Sequence, residues 1–166
     1  MIARGDTMLD EVAVCSLASE LPGVSDEAWA DFVHGMATRG TMDISEGNAL
    51  GMFELTPRRL SDLGYVQGLQ RTSVGGRTMW VAKFVSPMTA AKFLRNPRAQ
   101  YVAFTKSMKD YAEKISAKEI VKPEGMNLAG ALAILHRAGP KGLETWGRGE
   151  RFATTEMLYN RVAEVF

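Results

Sequence analysis

Apolar residues recur along this chain mostly at helical spacing. Leu9, Ala13, Leu17 and Leu21 fall every four residues and predict an amphipathic helix that Pro22-Gly23 stops. Ser25 is a favourable N-cap, and Asp26 and Glu27 put carboxylates in the first turn of a second helix, where the helix dipole favours them. Trp29, Phe32, Val33 and Met36 then line one face of it, and Gly40 marks its end. Asn96-Pro97 opens the longest helix, along which Tyr101, Phe104, Met108, Tyr111 and Ile115 form one stripe. Leu128 to Ala138 is a further helix, capped by Asn127 and ended by Gly139-Pro140. A last helix, from Thr154 or Thr155 onward, is expected to bury Met157, Leu158, Val162 and Val165.

Between these stretches the pattern changes. From Thr41 to Gly51 it is lost, and Gly47, Asn48 and Gly51 indicate a loop. Thr56-Pro57 is a compact helix start, with Leu60 and Leu63 facing inward and Gly64 closing the turn. Gly75-Gly76 suits a tight turn between the arms Arg71–Val74 and Arg77–Val85, which predicts a hairpin. Ser86-Pro87 is read as one more helix start. The sum is a mainly α protein with a small β-hairpin, in a single domain spanning 1–166.

Composition narrows the function classes. At 166 residues there is room for one domain, and 46% hydrophobic with 23% charged residues is an ordinary globular balance. Twenty Lys plus Arg against nineteen Asp plus Glu leave +1, which excludes a surface that is polyanion-binding as a whole and leaves only a local patch. Arg58-Arg59 and Arg95 with Arg98 are too few to argue DNA binding, so no nucleic-acid partner is expected. Lys106, Lys109, Lys114 and Lys118 read as the wet side of the long helix. A lone Cys15 excludes a disulfide framework and a cysteine-built zinc site, and His34 and His136 are too few for a His-rich metal centre. No metal or cofactor is therefore expected. Asp6, Asp10, Glu11 and Glu20 break any apolar core near the N-terminus, so neither a signal peptide nor a membrane span is expected, and synthesis in the cytoplasm is. The methionines, Met36, Met52, Met79, Met88 and Met108 among them, read as adaptable core filler.

Three segments, taken in order, resemble a known family. Gly51-Met52-Phe53-Glu54-Leu55-Thr56-Pro57, running on to Leu63-Gly64, resembles the "G-L-M-Q-L-x-P … L-G" segment of soluble lytic transglycosylases and goose-type lysozymes. Asn96-Pro97-x-x-Gln100 resembles the "N-P" helix start that follows in that family. Ala131-Leu132-Ala133-Ile134-Leu135-His136-Arg137-Ala138-Gly139-Pro140, with Trp146 beyond it, resembles "A-L-A-A-Y-N-A-G-P … W". The resemblance covers roughly 25–146. It implies a lysozyme-like core, with the terminal helices packed on it, and a cleft for peptidoglycan glycan strands of MurNAc and GlcNAc. Without a leader, such a protein is expected to reach the wall as part of a phage virion or tail, among other assembly proteins.

That chemistry needs one protonated carboxylic acid beside the glycosidic oxygen, and the substrate's own hydroxyl closes an anhydro ring. In the family the acid ends the helix before the first segment, and the corresponding stretch here, His34 to Gly40, holds no carboxylate. Glu46 is a candidate acid if the intervening loop is shortened; its bland alternative is a solvated loop carboxylate. Glu54 stands where the family has Gln, and is either a displaced acid or a residue paired with Arg58 or Arg59. Asp43, His136 and Trp146 are the candidate substrate-binding residues, with capping or packing as the ordinary alternative for His136. A second reading of the same pattern is a catalytically inactive, lysozyme-fold structural or adaptor component of a phage particle.

Overall fold

The computed structural model describes residues 17–37 and 49–166. Its elements are α1 (Asp26–Met36), α2 (Pro57–Asp62), β1 (Val66–Val74), β2 (Arg77–Phe84), α3 (Ala90–Leu94), α4 (Pro97–Ser116), α5 (Leu128–Gly147) and α6 (Ala153–Val162). The described chain is thus mainly helical, with one two-stranded antiparallel sheet. It divides into two compact units, one built on 49–106 and the other on 17–36 and 107–166, with the division falling inside α4.

In the first unit, Leu50, Leu55, Leu60, Val66, Phe84, Phe93 and Ala103 form one buried cluster. Helix α2 begins as its sequence dictates: the Thr56 hydroxyl accepts the Arg59 N–H at 3.1 Å, and Pro57 takes the first helical position. Gly75 and Gly76 both adopt positive φ, the combination a two-residue hairpin turn needs for its twist to match the strands. Strand pairing then counts outward from Val74↔Arg77 through Arg71↔Trp80 to Val66↔Phe84. The first arm is therefore longer than Arg71–Val74 and starts at Val66, while the second ends at Phe84, leaving Val85 exposed. A bulge between Gln67 and Gln70 hid the longer arm, because an extra residue breaks the alternation by which a strand is recognised.

The expected helix start at Ser86-Pro87 is also corrected. That segment turns, with the Met88 N–H donating to Val85 O at 3.1 Å, and α3 begins at Ala90. Its N-cap is Thr89, whose hydroxyl accepts the Lys92 N–H at 3.1 Å. Helix α4 starts where expected, with Asn96 Oδ1 accepting the Ala99 N–H at 3.0 Å. Lys106 is exposed on the polar side as expected, and its ammonium also donates to Leu63 O at 2.7 Å and lies 5.2 Å from the Tyr65 ring centroid.

In the second unit, α1 buries Trp29, Phe32, Val33 and Met36 completely or nearly so, and the Ser25 hydroxyl accepts the Ala28 N–H at 3.1 Å. Most of the helix expected over Leu9 to Leu21 lies outside the described residues; 17–20 are not helical and Leu21 is a buried bend. Helix α6 packs against both α1 and α5. Contact is close at two glycines: a Cβ on Gly35 would fall 2.4 Å from Val162 Cγ1, and one on Gly130 would fall 2.5 Å from Tyr159 Cε2. Leu158 and Val162 are buried as expected, but Met157 is 69% exposed, Val165 is only half-buried, and Thr155 takes the remaining inward place.

Gly139-Pro140 ends the first helical stretch, as expected, although helix resumes directly beyond it. Gly139 sits at φ 73° and ψ −179°, and Pro140 opens a second helical stretch that runs to Gly147. Proline lacks the N–H that a helix's first residue cannot use in any case, so the same dipeptide stops one stretch and starts the next. Asn127 is the N-cap by position, yet its side chain makes no capping bond; its Nδ2 donates instead to Ala163 O at 3.1 Å.

Candidate functional site

The site implied by the first two family-like segments is a tight turn closed by its own backbone. Leu50 and Leu55 exchange two hydrogen bonds, the Leu50 N–H to Leu55 O at 2.9 Å and the Leu55 N–H to Leu50 O at 3.0 Å. Between them, the Glu54 N–H donates to Gly51 O at 3.1 Å. Gly51 takes φ 78°, and a Cβ there would meet Gln100 Oε1 at 2.5 Å, so only glycine fits both the backbone and the neighbour.

Gln100 is the hub of this arrangement. It is 1% exposed, its Oε1 accepts the Met52 N–H at 2.8 Å, and its Nε2 donates to Phe93 O at 3.0 Å and Leu94 O at 3.1 Å. One amide thereby ties the 51–52 backbone to the end of α3 while standing on α4. The Phe53 and Phe104 rings stack beside it, 4.2 Å between centroids and 10° from parallel. The segments Gly51–Pro57 and Asn96–Gln100, 39 residues apart at their nearest ends by the chain numbering, meet here.

Glu54 lies within this turn, half-buried and at φ 51°. A side chain with a Cβ rarely adopts that conformation, which costs on the order of 1–3 kcal/mol and is found where surrounding contacts over-determine the backbone, often at functional sites. Glu46 and Asp43 lie outside the described residues. His136 is half-buried near the end of the first stretch of α5, with Nδ1 shielded from solvent.

Trp146 is 4% exposed and belongs to the packing of the second unit. Its ring lies 5.0 Å from that of Tyr159, and the Arg151 guanidinium covers it at 4.1 Å while donating to Trp146 O at 2.7 Å. The same unit carries a groove of about 750 Å³ between the 119–124 link and the second stretch of α5, with Val121, Pro123, Pro140 and Leu143 among its walls. Of the described candidate site residues, Glu54, His136 and Trp146 do not line it.

Two features escaped the sequence reading. Gln100 appeared only as a letter in a motif, and a polar residue on a helix gives no sign that three backbone groups converge on it. The second is the pair of guanidiniums on Trp80, a tryptophan that sequence offers only as a sugar-stacking candidate; its ring centroid lies 5.1 Å from Arg58 Cζ and 5.5 Å from Arg71 Cζ. Counting outward from a two-residue turn at Gly75-Gly76 already pairs Arg71 with Trp80, so that contact had a signal.

Among the described residues no cluster of three or more His, Cys, Asp or Glu is placed to hold a metal ion, and no helix is long and apolar enough to cross a membrane. No protein-family model, curated protein or solved structure matches this chain.

Proposed function

We propose that this chain is a lysozyme-like protein directed at peptidoglycan, a lytic transglycosylase or related glycosidase that cleaves the MurNAc–GlcNAc glycan and is carried to the wall in a virion. The observation that carries the reading is the Met52–Gln100 hydrogen bond, which joins two of the family-like segments into one buried unit. A chance match between short words in unrelated helices gives no reason for those two segments to share a hydrogen-bonded core.

In the reaction, a carboxylic acid protonates the glycosidic oxygen as the C1–O bond breaks, and the substrate's C6 hydroxyl forms the new bond to C1. The hydroxyl proton returns to the carboxylate, so one acid suffices. Glu54 is the described candidate, on a turn fixed at both ends, and Glu46 is the other. Asp43, His136 and Trp146 are the candidate substrate contacts, with Trp146 the weakest because Arg151 and Tyr159 cover its ring.

That covering favours a second reading, in which the frame persists as an inactive structural or adaptor component of a phage particle. Purified protein incubated with isolated peptidoglycan distinguishes the two. Catalysis predicts soluble anhydro-muropeptides or reducing sugar ends, lost in either Glu46→Gln or Glu54→Gln. Folded protein that releases nothing at any pH overturns the catalytic reading and leaves the structural one.

A further inference from the structure

The charges of this chain are unevenly distributed. Residues 49–106 hold nine Lys and Arg against two Asp and Glu, a balance of +7, and the remainder of the chain offsets it to reach the total of +1. The exclusion of a polyanion-binding surface thus holds for the chain as a whole and fails for this segment. Within it, Arg58 on α2 and Arg71 on β1 are both exposed, and both guanidiniums lie within 5.5 Å of the half-buried Trp80 ring. Cation–π contact holds a guanidinium over the ring face, and the N–H groups along its edge remain suited to two-pronged bonding of an oxyanion. Two arginines ordered on one tryptophan are therefore prepared donors whose ordering cost is partly met before a ligand arrives.

We propose that the Arg58–Trp80–Arg71 cluster, at the centre of this basic segment, is a docking surface for the carboxylate-bearing peptides of peptidoglycan strands. The inference rests on the substrate proposed above and adds how the strand is held. Charge complementarity selects the occupant: wall peptides are polyanionic, and a segment at +7 attracts them although the whole chain does not. Nucleic acid is the rival polyanion. Binding of single strands draws on open aromatic faces for base stacking, whereas two guanidiniums already stand over Trp80, so the cluster offers oxyanion donors rather than a stacking platform.

The test is co-sedimentation of the full chain with isolated peptidoglycan, with the same material after its carboxylates are blocked as amides, and with immobilised duplex DNA. Binding to native peptidoglycan should fall steeply as salt rises to about 0.3 M, because exposed charge pairs are screened there. The Arg58→Ala/Arg71→Ala variant should bind about tenfold more weakly with little change in melting temperature, a loss of about 1.4 kcal/mol. Blocking the carboxylates should weaken the native chain to a similar extent and the variant little further. Undiminished binding of the native chain to blocked peptidoglycan overturns the proposal and needs no variant to fold. Equal binding by the folded variant, or tighter retention of DNA through the same two arginines, also overturns it. Muropeptide release measured in the same tubes separates the two proposals: binding without release removes catalysis alone, and release with arginine-independent binding removes the docking surface alone.

Discussion

Met52 and Gln100 share a buried hydrogen bond of 2.8 Å across 48 positions of sequence, and the rest of the Gln100 amide is spent on two carbonyls at the end of α3. Gln100→Leu keeps the side chain's approximate size but strands the Met52 N–H away from water. An orphaned buried donor costs about 1–3 kcal/mol, and the lost carbonyl contacts add to that. Urea unfolding should show Gln100→Leu destabilised by about 2–4 kcal/mol. A loss well under 1 kcal/mol would mean that the amide does not hold the turn.

Gly51 and Gly76 offer a controlled comparison, since both sit at φ 78°. Nothing lies within 4 Å of a Cβ placed on Gly76, whereas one on Gly51 meets Gln100 Oε1 at 2.5 Å. Gly76→Ala should therefore cost only the left-handed backbone, about 1–2 kcal/mol. Gly51→Ala carries the same cost and also displaces the clamp, so its denaturation midpoint should fall further, by at least about 1 kcal/mol more. Equal losses in the two variants would show that Gln100 yields freely.

These two glycines also mark what was readable from sequence. The helix starts at Ser25, Thr56-Pro57 and Asn96-Pro97 were legible because capping is local chemistry, written within four residues of the cap. The Gly75-Gly76 turn was legible for the same reason. The length of β1 was not, because a bulge offsets its alternation, and neither was the resumption of α5 after Gly139, where one dipeptide both stops and starts a helix. Met157 misled because a helical stripe is judged from spacing, while what fills the inward place depends on the partner helix; Thr155 took it. The candidate site was legible only as motifs. Gly51 has no reason to be glycine until Gln100, far along the chain, is seen to occupy the space beside it.

Tyr65 gives the fold a dependence on alkaline pH. Burial raises its phenol above the ordinary value of 10.0, because the phenolate is poorly solvated there. The folded chain therefore holds this proton more tightly than the unfolded chain does. Its contribution to stability is intact below pH 10.0 and is lost as pH rises through the raised folded value. Other groups titrate in the same range, so the readout is a difference: urea midpoints at about pH 9 and about pH 11 for the native chain and for Tyr65→Phe. The variant, which has no phenol to ionise, should lose less stability over that interval. Parallel losses would remove Tyr65 from the alkaline transition.

Gly35 on α1 faces Val162 on α6, and a Cβ at 35 would stand 2.4 Å from Val162 Cγ1. Gly35 is helical, so exchanging it for alanine should help the isolated helix by about 1 kcal/mol. Both residues sit inside the second unit and Val162 is fully buried, so the side chain has no free space into which to swing. Overpacking of this kind costs about 1–3 kcal/mol, which outweighs the propensity gain and makes Gly35→Ala destabilising on balance. Val162→Ala removes the opposing methyl groups at the expense of buried apolar area. The two changes should therefore be strongly non-additive, with the double variant more stable than the sum of single losses predicts by about 1 kcal/mol or more. A double-mutant cycle on thermal or urea unfolding measures that coupling directly. Strict additivity would mean that α1 and α6 move apart to admit the extra methyl, and that their close approach at Gly35 is not what seats α6.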